Sequence, residues 1–444
     1  MARGLEITPE VRGAERHAAV DYPIRYGRYA QIEIPEYRLQ FDLDGSIRHL
    51  QGRPESGWPA AEWLKRSLGD DWIYYSAGDY QGVFDLYGEH YIPCPSYPAN
   101  AIFGGRPFRR PALRRAVAGW HAALAATAER ASAGLRADQR GVLERVLALD
   151  AAALAERARA LVDIIGCSIS VIPPESRQVD YDLLPLVIAD GCLYRCAFCR
   201  VKTGADFAPR SRRDIRRQIE QLGKALGPAL RNRNAVFLGQ HDALAVEPGH
   251  LLFAAEAALR GFALDRSHLR GAHLFFFASV DSLLAASPQL FEQLDALGCR
   301  SWINVGLESA DAPTLRRLGK PLATAAVAEA FHKLVEVNRR FEHIELSANF
   351  VWSPELPRAH TDALIELTRD ALAHFYSKGA IYLSPLLDDR GPRPERRAVL
   401  RAIREIQLGA RMPVYLYLIQ RLLPPQQEIL PSPFPRNPRP GGGC

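Results

Sequence analysis

Cysteine is scarce in this chain, with seven in 444 residues. A count that is both odd and small supplies no disulfide framework. Long apolar runs are missing too: stretches such as Leu274–Val280 fall far short of the ~20 residues that cross a bilayer. The opening Met1-Ala-Arg-Gly-Leu-Glu has no apolar stretch of the secretory kind, so a cytoplasmic protein away from membranes is expected. Charge of one sign is in no real excess. Lys and Arg number 56 against 50 Asp and Glu, a net +6 spread thinly, and nucleic acid is not indicated as a partner. What is present is ordinary for a folded chain: 48% hydrophobic and 24% charged residues, enough for a core of normal size.

Composition divides the chain into four stretches. Residues 1–110 read as a β-rich, aromatic module. Leu39, Phe41 and Leu43 alternate, Asp44-Gly45 supplies a hairpin turn, and Ile47 begins the return strand. Residues 111–180 shift to Ala, Leu, Arg and Glu and predict a helical linker of two or three helices, with Pro111 at a first turn. From Tyr181, short apolar runs alternate with amphipathic segments. The runs are Leu186–Ala189, Ala235–Leu238, His273–Ala278, Trp302–Leu307, Ile344–Val351 and Ala380–Leu383. A helix follows each; the first, Arg212–Leu226, carries Ile215, Ile219, Leu222 and Leu226 on one face between a Ser211 cap and a Gly227-Pro228 stop. One helix is expected over Ser282–Leu297. Six strand–helix pairs with strands of this kind predict an α/β fold: either an open doubly wound sheet or a partial (β/α)6 barrel of TIM type, over residues 181–411. Residues 412–444 form a C-terminal extension with a Pro-rich tail ending Gly-Gly-Gly-Cys.

Both architectures place chemistry at the carboxyl ends of the strands. The cysteines agree with that. Cys192, Cys196 and Cys199 form a C-x3-C-x2-C loop directly after the first run, while Cys94, Cys167, Cys299 and Cys444 stand apart. Three thiolates so close in sequence can surround one soft metal centre. An iron–sulfur cubane has four irons to ligate, so three cysteines leave one open to an outside molecule. A zinc site would want a fourth protein ligand, with His241 or Cys299 as distant candidates.

With this spacing, and with the aromatic Phe198 before the third cysteine, the sequence resembles the radical S-adenosylmethionine (SAM) superfamily from Tyr181 to about Leu387. Phe237-Leu-Gly-Gln-His-Asp-Ala-Leu244 stands where that family has a Gly-rich segment for the methionine amino group. It departs from the usual Gly-Gly-Glu form, so only the backbone at Gly239 and Gln240 is carried over. Asn304-Val-Gly-Leu-Glu-Ser-Ala-Asp311 and Leu315-Arg-Arg-Leu-Gly-Lys320 are similar to a stretch of the coproporphyrinogen oxidase and methylthiotransferase branch. The resemblance implies Cys192, Cys196 and Cys199 as ligands of a [4Fe–4S] cluster. It also implies Phe198, Gly239, Gln240, Ser279, Glu308, Ser309, Asn349 and Ser384 as neighbours of SAM.

Simpler readings stand beside these. Glu308 also reads as a carboxylate capping the helix that starts near Pro313, and His241 and Asp242 as residues that merely close their loop. Lys320 reads as a solvated charge or a partner for a carboxylate. Cys444, His241 and Asp242 are weak candidates for catalytic residues. The tyrosines of the N-terminal module either close the open side of the barrel or form a small core of their own. The expected function is radical SAM chemistry: reductive cleavage of SAM to a 5′-deoxyadenosyl radical that takes hydrogen from a small biosynthetic molecule. The expected electron donor is a flavodoxin- or ferredoxin-type reductase. The alternatives are modification of RNA or a peptide, a zinc-binding interaction protein, and an electron carrier that ignores SAM.

Overall fold

A computed structural model describes residues 4–17, 25–59, 62–76, 87–88, 92–94, 106–194, 196–199, 201, 205–386, 395–417 and 419–425. The N-terminal part is a seven-stranded antiparallel sheet whose strands neighbour one another in chain order. They are β1 (Glu6–Arg12), β2 (Arg28–Glu33), β3 (Tyr37–Phe41), β4 (Ile47–Gly52), β5 (Trp63–Arg66), β6 (Trp72–Ser76) and β7 (Ile92–Cys94). The expected hairpin joins β3 to β4: Phe41 faces Ile47, and Gly45 takes φ +88° in the turn. Helices α1 (Pro111–Ala131), α2 (Ala137–Leu147) and α3 (Ala151–Ile165) follow.

The second sheet has seven strands, all parallel, in the order β8 (Leu184–Pro185), β11 (Ala235–Asp242), β12 (Ala272–Ala278), β13 (Cys299–Glu308), β14 (Ile344–Trp352), β15 (Ile381–Pro385) and β16 (Val414–Leu416). Between successive strands run α4 (Arg212–Leu226), α5 (Pro248–Gly261), α6 (Val280–Ala285) with α7 (Pro288–Asp295), α8 (Ala312–Arg317) with α9 (Thr324–Arg340), α10 (Arg358–Ala371) and α11 (Arg396–Gly409). Six strand–helix units are thus present, and a seventh strand ends the series. The strands are buried on both faces, as a parallel sheet with helices outside requires. Two details differ from expectation. The first parallel strand lies at Leu184–Pro185, just before the expected run Leu186–Ala189, and the helix expected over Ser282–Leu297 is two helices because Ser287 and Pro288 cap a fresh start.

The sheet curls without its edge strands β8 and β16 pairing with each other. The gap is filled by the linker: Ile169 and Ile172 bond to Leu423 and Gln420, and Gln240 at the end of β11 holds Ser168 and Ser170. Its amide oxygen accepts from the Ser170 amide at 2.8 Å and its amide nitrogen donates to the Ser168 carbonyl at 2.9 Å.

The antiparallel sheet packs against the amino ends of the parallel strands, the face opposite the cysteine loop. The contact is a buried ionic cluster. Lys65 pairs with Asp180 at 2.7 Å and Asp182 at 3.1 Å, just before β8. Arg48 pairs with Asp182 and with Asp42, and Asp42 also takes Arg233, just before β11, at 3.2 Å. Burial opposes ionisation of Asp182, yet Arg48, Lys65 and Arg233 hold its carboxyl well below the usual range. Tyr74, Tyr75 and Tyr87 are buried within or beside this module; Tyr80, Tyr91 and Tyr97 lie outside the described residues.

Candidate functional site

The cysteine loop is built on a two-strand clasp. β9 (Ala189–Asp190) pairs antiparallel with β10 (Ala208–Pro209), and Arg210 takes both oxygens of Asp190, at 2.7 and 2.6 Å. Gly191 sits at φ +71° so close to the returning chain that a Cβ would lie 2.1 Å from the Asp206 carbonyl; any other residue there would break the clasp. From this base the loop crosses the carboxyl ends of the strands. The Tyr194 hydroxyl accepts from the Asp281 amide at 3.3 Å, at the start of α6, and the Ala197 amide donates to the Leu318 carbonyl at 2.8 Å, after α8. Gly319, at φ +66°, packs so that a Cβ there would lie 3.2 Å from the Ala197 amide nitrogen, a tight fit.

The three loop cysteines form no disulfide: Cys192 is exposed, Cys199 half-buried and Cys196 buried. Burial pushes the Cys196 thiol up to about 11, and the Lys320 cation works against that shift. Among the described residues, no three His, Cys, Asp or Glu side chains converge as ligands of a single metal ion. Cysteine thiolates are the ligands of iron–sulfur clusters, so the chemistry of this donor set fits one. Cys299, one candidate fourth zinc ligand, opens β13 at the amino end of the sheet, remote from the loop.

Facing the loop stands a buried ion pair. Lys320 is 6% exposed; its ammonium donates to the Gly306 carbonyl at 2.6 Å, lies 3.5 Å from Glu308 Oε1 and sits 5.1 Å from the centre of the Tyr194 ring. Of its two expected roles, that of a carboxylate's partner is the one observed. Glu308 ends β13 with φ +66°, a conformation strained for a residue with a side chain. Burial pushes its carboxyl up, and Lys320 draws it back down. The capping role weighed for Glu308 belongs to Asp311, whose carboxylate takes the Thr314 amide at 3.0 Å. Asn349 reaches Glu308 Oε2 at 3.5 Å, and Ser384 reaches Asn349 at 3.4 Å. Glu308, Asn349 and Ser384 therefore form one continuous polar wall across three strand ends.

Other predicted neighbours are placed nearby but spend their side chains on structure. Gly239 bulges at φ +98° at the end of β11, and the Gln240 side chain holds the linker as described. Ser279 caps α6 through Ser282, and Ser309 is fully buried between the His360 ring at 2.8 Å and the Asp311 amide at 3.0 Å. Asp242 accepts from the Ser279 amide at 3.1 Å, the Ser282 hydroxyl at 2.8 Å and the Ala245 amide at 3.1 Å, which is the loop-closing role. His241 is buried, which pushes its ring below the ordinary value; Asp190 is its nearest counter-charge. Phe198 is half-buried in the loop, and Cys444 lies outside the described residues.

Sequence reading missed a second polar layer, one step down the barrel. Glu175 enters the lumen from the linker, where Asn304 donates to its Oε1 at 3.1 Å and the Ser347 hydroxyl donates to the same oxygen. Among the described residues its Oε2 has no partner, and burial pushes its carboxyl up to about 7. Beside it a cavity of about 20 Å³, lined by Ser176, Arg177, Tyr382, Tyr417 and Gln420, has room for one water. Nothing in the local sequence around Glu175 announces this burial, because its partners lie 129 and 172 residues away.

Residues 186–346 match the model of the radical SAM superfamily. The chain contains a radical SAM domain. The match supports an enzyme of the radical SAM class, a class that uses SAM and an iron–sulfur cluster. Among curated proteins no relative matches this chain. Similar solved structures include methylornithine synthase (PylB), 10% identical, covering 62% of this chain and 81% of that one with a TM-score of 0.34. A radical SAM methyltransferase from Sphaerobacter thermophilus is 15% identical, with 53% and 65% covered and a TM-score of 0.35. SuiB of Streptococcus suis is 11% identical, with 80% and 70% covered and a TM-score of 0.37. Among the described residues, no helix is long and apolar enough to cross a membrane.

Proposed function

We propose that Cys192, Cys196 and Cys199 hold a [4Fe–4S] cluster whose remaining iron binds SAM, and that the enzyme acts on a small biosynthetic molecule. The observation that carries this reading is the loop of three closely spaced cysteines pinned across the strand ends, opposite a buried Lys–Glu pair. When bound, the cluster and SAM supply reductive cleavage to a 5′-deoxyadenosyl radical, which takes hydrogen from the substrate.

The chain supplies position and electrostatics. The Lys320 ammonium lies within Coulomb reach of the Cys196 sulfur and favours its thiolate form, the form that ligates iron. The same cation beside the loop suits the carboxylate of the SAM methionine, while the Glu308, Asn349 and Ser384 wall offers acceptors and donors to its amine and ribose. The backbone bulge at Gly239 leaves the strand end open where the methionine amino group is expected. The linker filling the gap between β8 and β16 keeps water from the lumen, and the small cavity beside Glu175 leaves the substrate to approach from the cysteine-loop face.

Anaerobic reconstitution tests the proposal. About four irons and four sulfides per chain, with 5′-deoxyadenosine released after dithionite and SAM are added, are the expected results. One equivalent of zinc without sulfide, or a stable cluster that leaves SAM intact, would contradict it.

A further inference from the structure

We propose that the arginine face at the start of α4, together with the exposed tip of the cysteine loop, is the docking surface for an acidic one-electron donor protein. This rests on the reading above, because only a redox centre behind the loop needs an electron brought to it. In that step one electron leaves the donor's reduced flavin or iron–sulfur centre and enters the cluster; no bond is made or broken.

The placement comes from the clasp. Arg210 joins the loop base at Asp190, two residues before Cys192, and α4 begins two residues after Arg210, so its first turns flank the loop. Cys192 is exposed and Leu193 is 44% exposed, which gives the loop a small apolar tip. Arg212, Arg213, Arg216 and Arg217 are all exposed on these two turns. The nearby acids are already engaged. Asp190 is held by Arg210 and Asp214 by Arg217, at 2.6 and 2.5 Å, and Glu247 spends its carboxylate on the Gly249 and His250 amides at 2.9 Å.

Among the described residues, no carboxylate pairs with Arg212, Arg213 or Arg216. Two of them are instead laid on an aromatic ring: Arg212 and Arg216 stand 4.8 and 5.0 Å from the centre of Phe253. That holds their charge at the surface with little side-chain freedom left to lose on binding. A small apolar tip bordered by unneutralised cations is the anatomy of a transient, electrostatically steered interface. The opposite end of the barrel is covered by the antiparallel sheet, so among the described residues the cysteine-loop rim is the face left open to a partner.

The test compares two electron sources on the reconstituted full-length enzyme. Dithionite bypasses docking, whereas a flavodoxin reduced by its own NADPH-dependent reductase requires it. The variants are Arg213→Glu with Arg216→Glu, and the same pair changed to Lys. With dithionite, both variants should release 5′-deoxyadenosine within about twofold of wild type. With flavodoxin, the charge reversal should raise the KM for the donor about tenfold and flatten its salt dependence, and the Lys pair should behave as wild type. Equal flavodoxin kinetics in wild type and the reversed variant would overturn the docking surface alone. So would a parallel loss with dithionite, or loss of binding to a single-stranded RNA oligonucleotide with donor kinetics unchanged. Absence of 5′-deoxyadenosine from wild type with dithionite would overturn the reading of the site, and the docking surface with it.

Discussion

Replacing Glu175 with Gln should change the pH dependence of stability. Burial dominates this carboxyl and favours its neutral form; a hydrogen bond from its own backbone, the Asn304 donor and the Arg177 charge only partly offset it. Its value rises from 4.5 to about 7, so the folded chain binds this proton more tightly than the unfolded chain. The resulting stabilisation is complete below the unfolded value and is lost as pH climbs through the folded one. At 1.36 kcal/mol per unit, the loss between these limits is about 3 kcal/mol, a large part of a typical domain's stability. Gln keeps an oxygen for Asn304 and Ser347 and never ionises, so Glu175→Gln should escape the loss. Urea unfolding of both apo-proteins at intervals from about pH 5 to pH 8 measures the difference directly. The variant should gain on wild type steadily with rising pH. Parallel profiles would refute the argument, because they would mean that Glu175 is solvated or paired in the folded chain.

Three further outcomes follow from the same reasoning. Lys65→Met should take one cation from the buried Asp180 and Asp182, leave Asp182 to Arg48, and cost about 3–5 kcal/mol, seen as a lower urea midpoint. That penalty should shrink as pH falls below the ordinary Asp range, because Asp182 is held ionised by its cations and losing that charge removes the conflict. Lys320→Met should weaken SAM binding about tenfold or more by equilibrium dialysis, counted per cluster from the iron that each chain retains. Gly191→Val should close off the clasp and sharply lower cluster occupancy while the far-UV circular dichroism is retained.

Local signals made the barrel legible. Arg212–Leu226 is announced by its apolar stripe, its Ser cap and its Gly-Pro stop, and the helix has those bounds. The short apolar runs are buried strands because helices cover their outer face and the barrel interior encloses the inner one. β16 was hidden for the opposite reason: three residues inside a Pro-containing extension carry no period, and their strand character comes from the edge of β15. The same holds at the site. The cysteine spacing is local and can be read directly. That Gln240 grips Ser168 and Ser170, that Lys320 is buried under Tyr194, and that Ser309 is paired with His360 all depend on contacts between distant segments. Lys320 left one trace in the sequence, the Gly319 before it, whose left-handed turn brings the ammonium back toward Gly306.

The account depends on a cluster vertex that the polypeptide leaves free for SAM. Electron paramagnetic resonance of the reduced, reconstituted enzyme tests this directly. Addition of SAM should shift the cluster signal, and a Cys196→Ser chain should give no signal to shift. A full-strength signal that SAM leaves unchanged would mean that a fourth residue already occupies that iron.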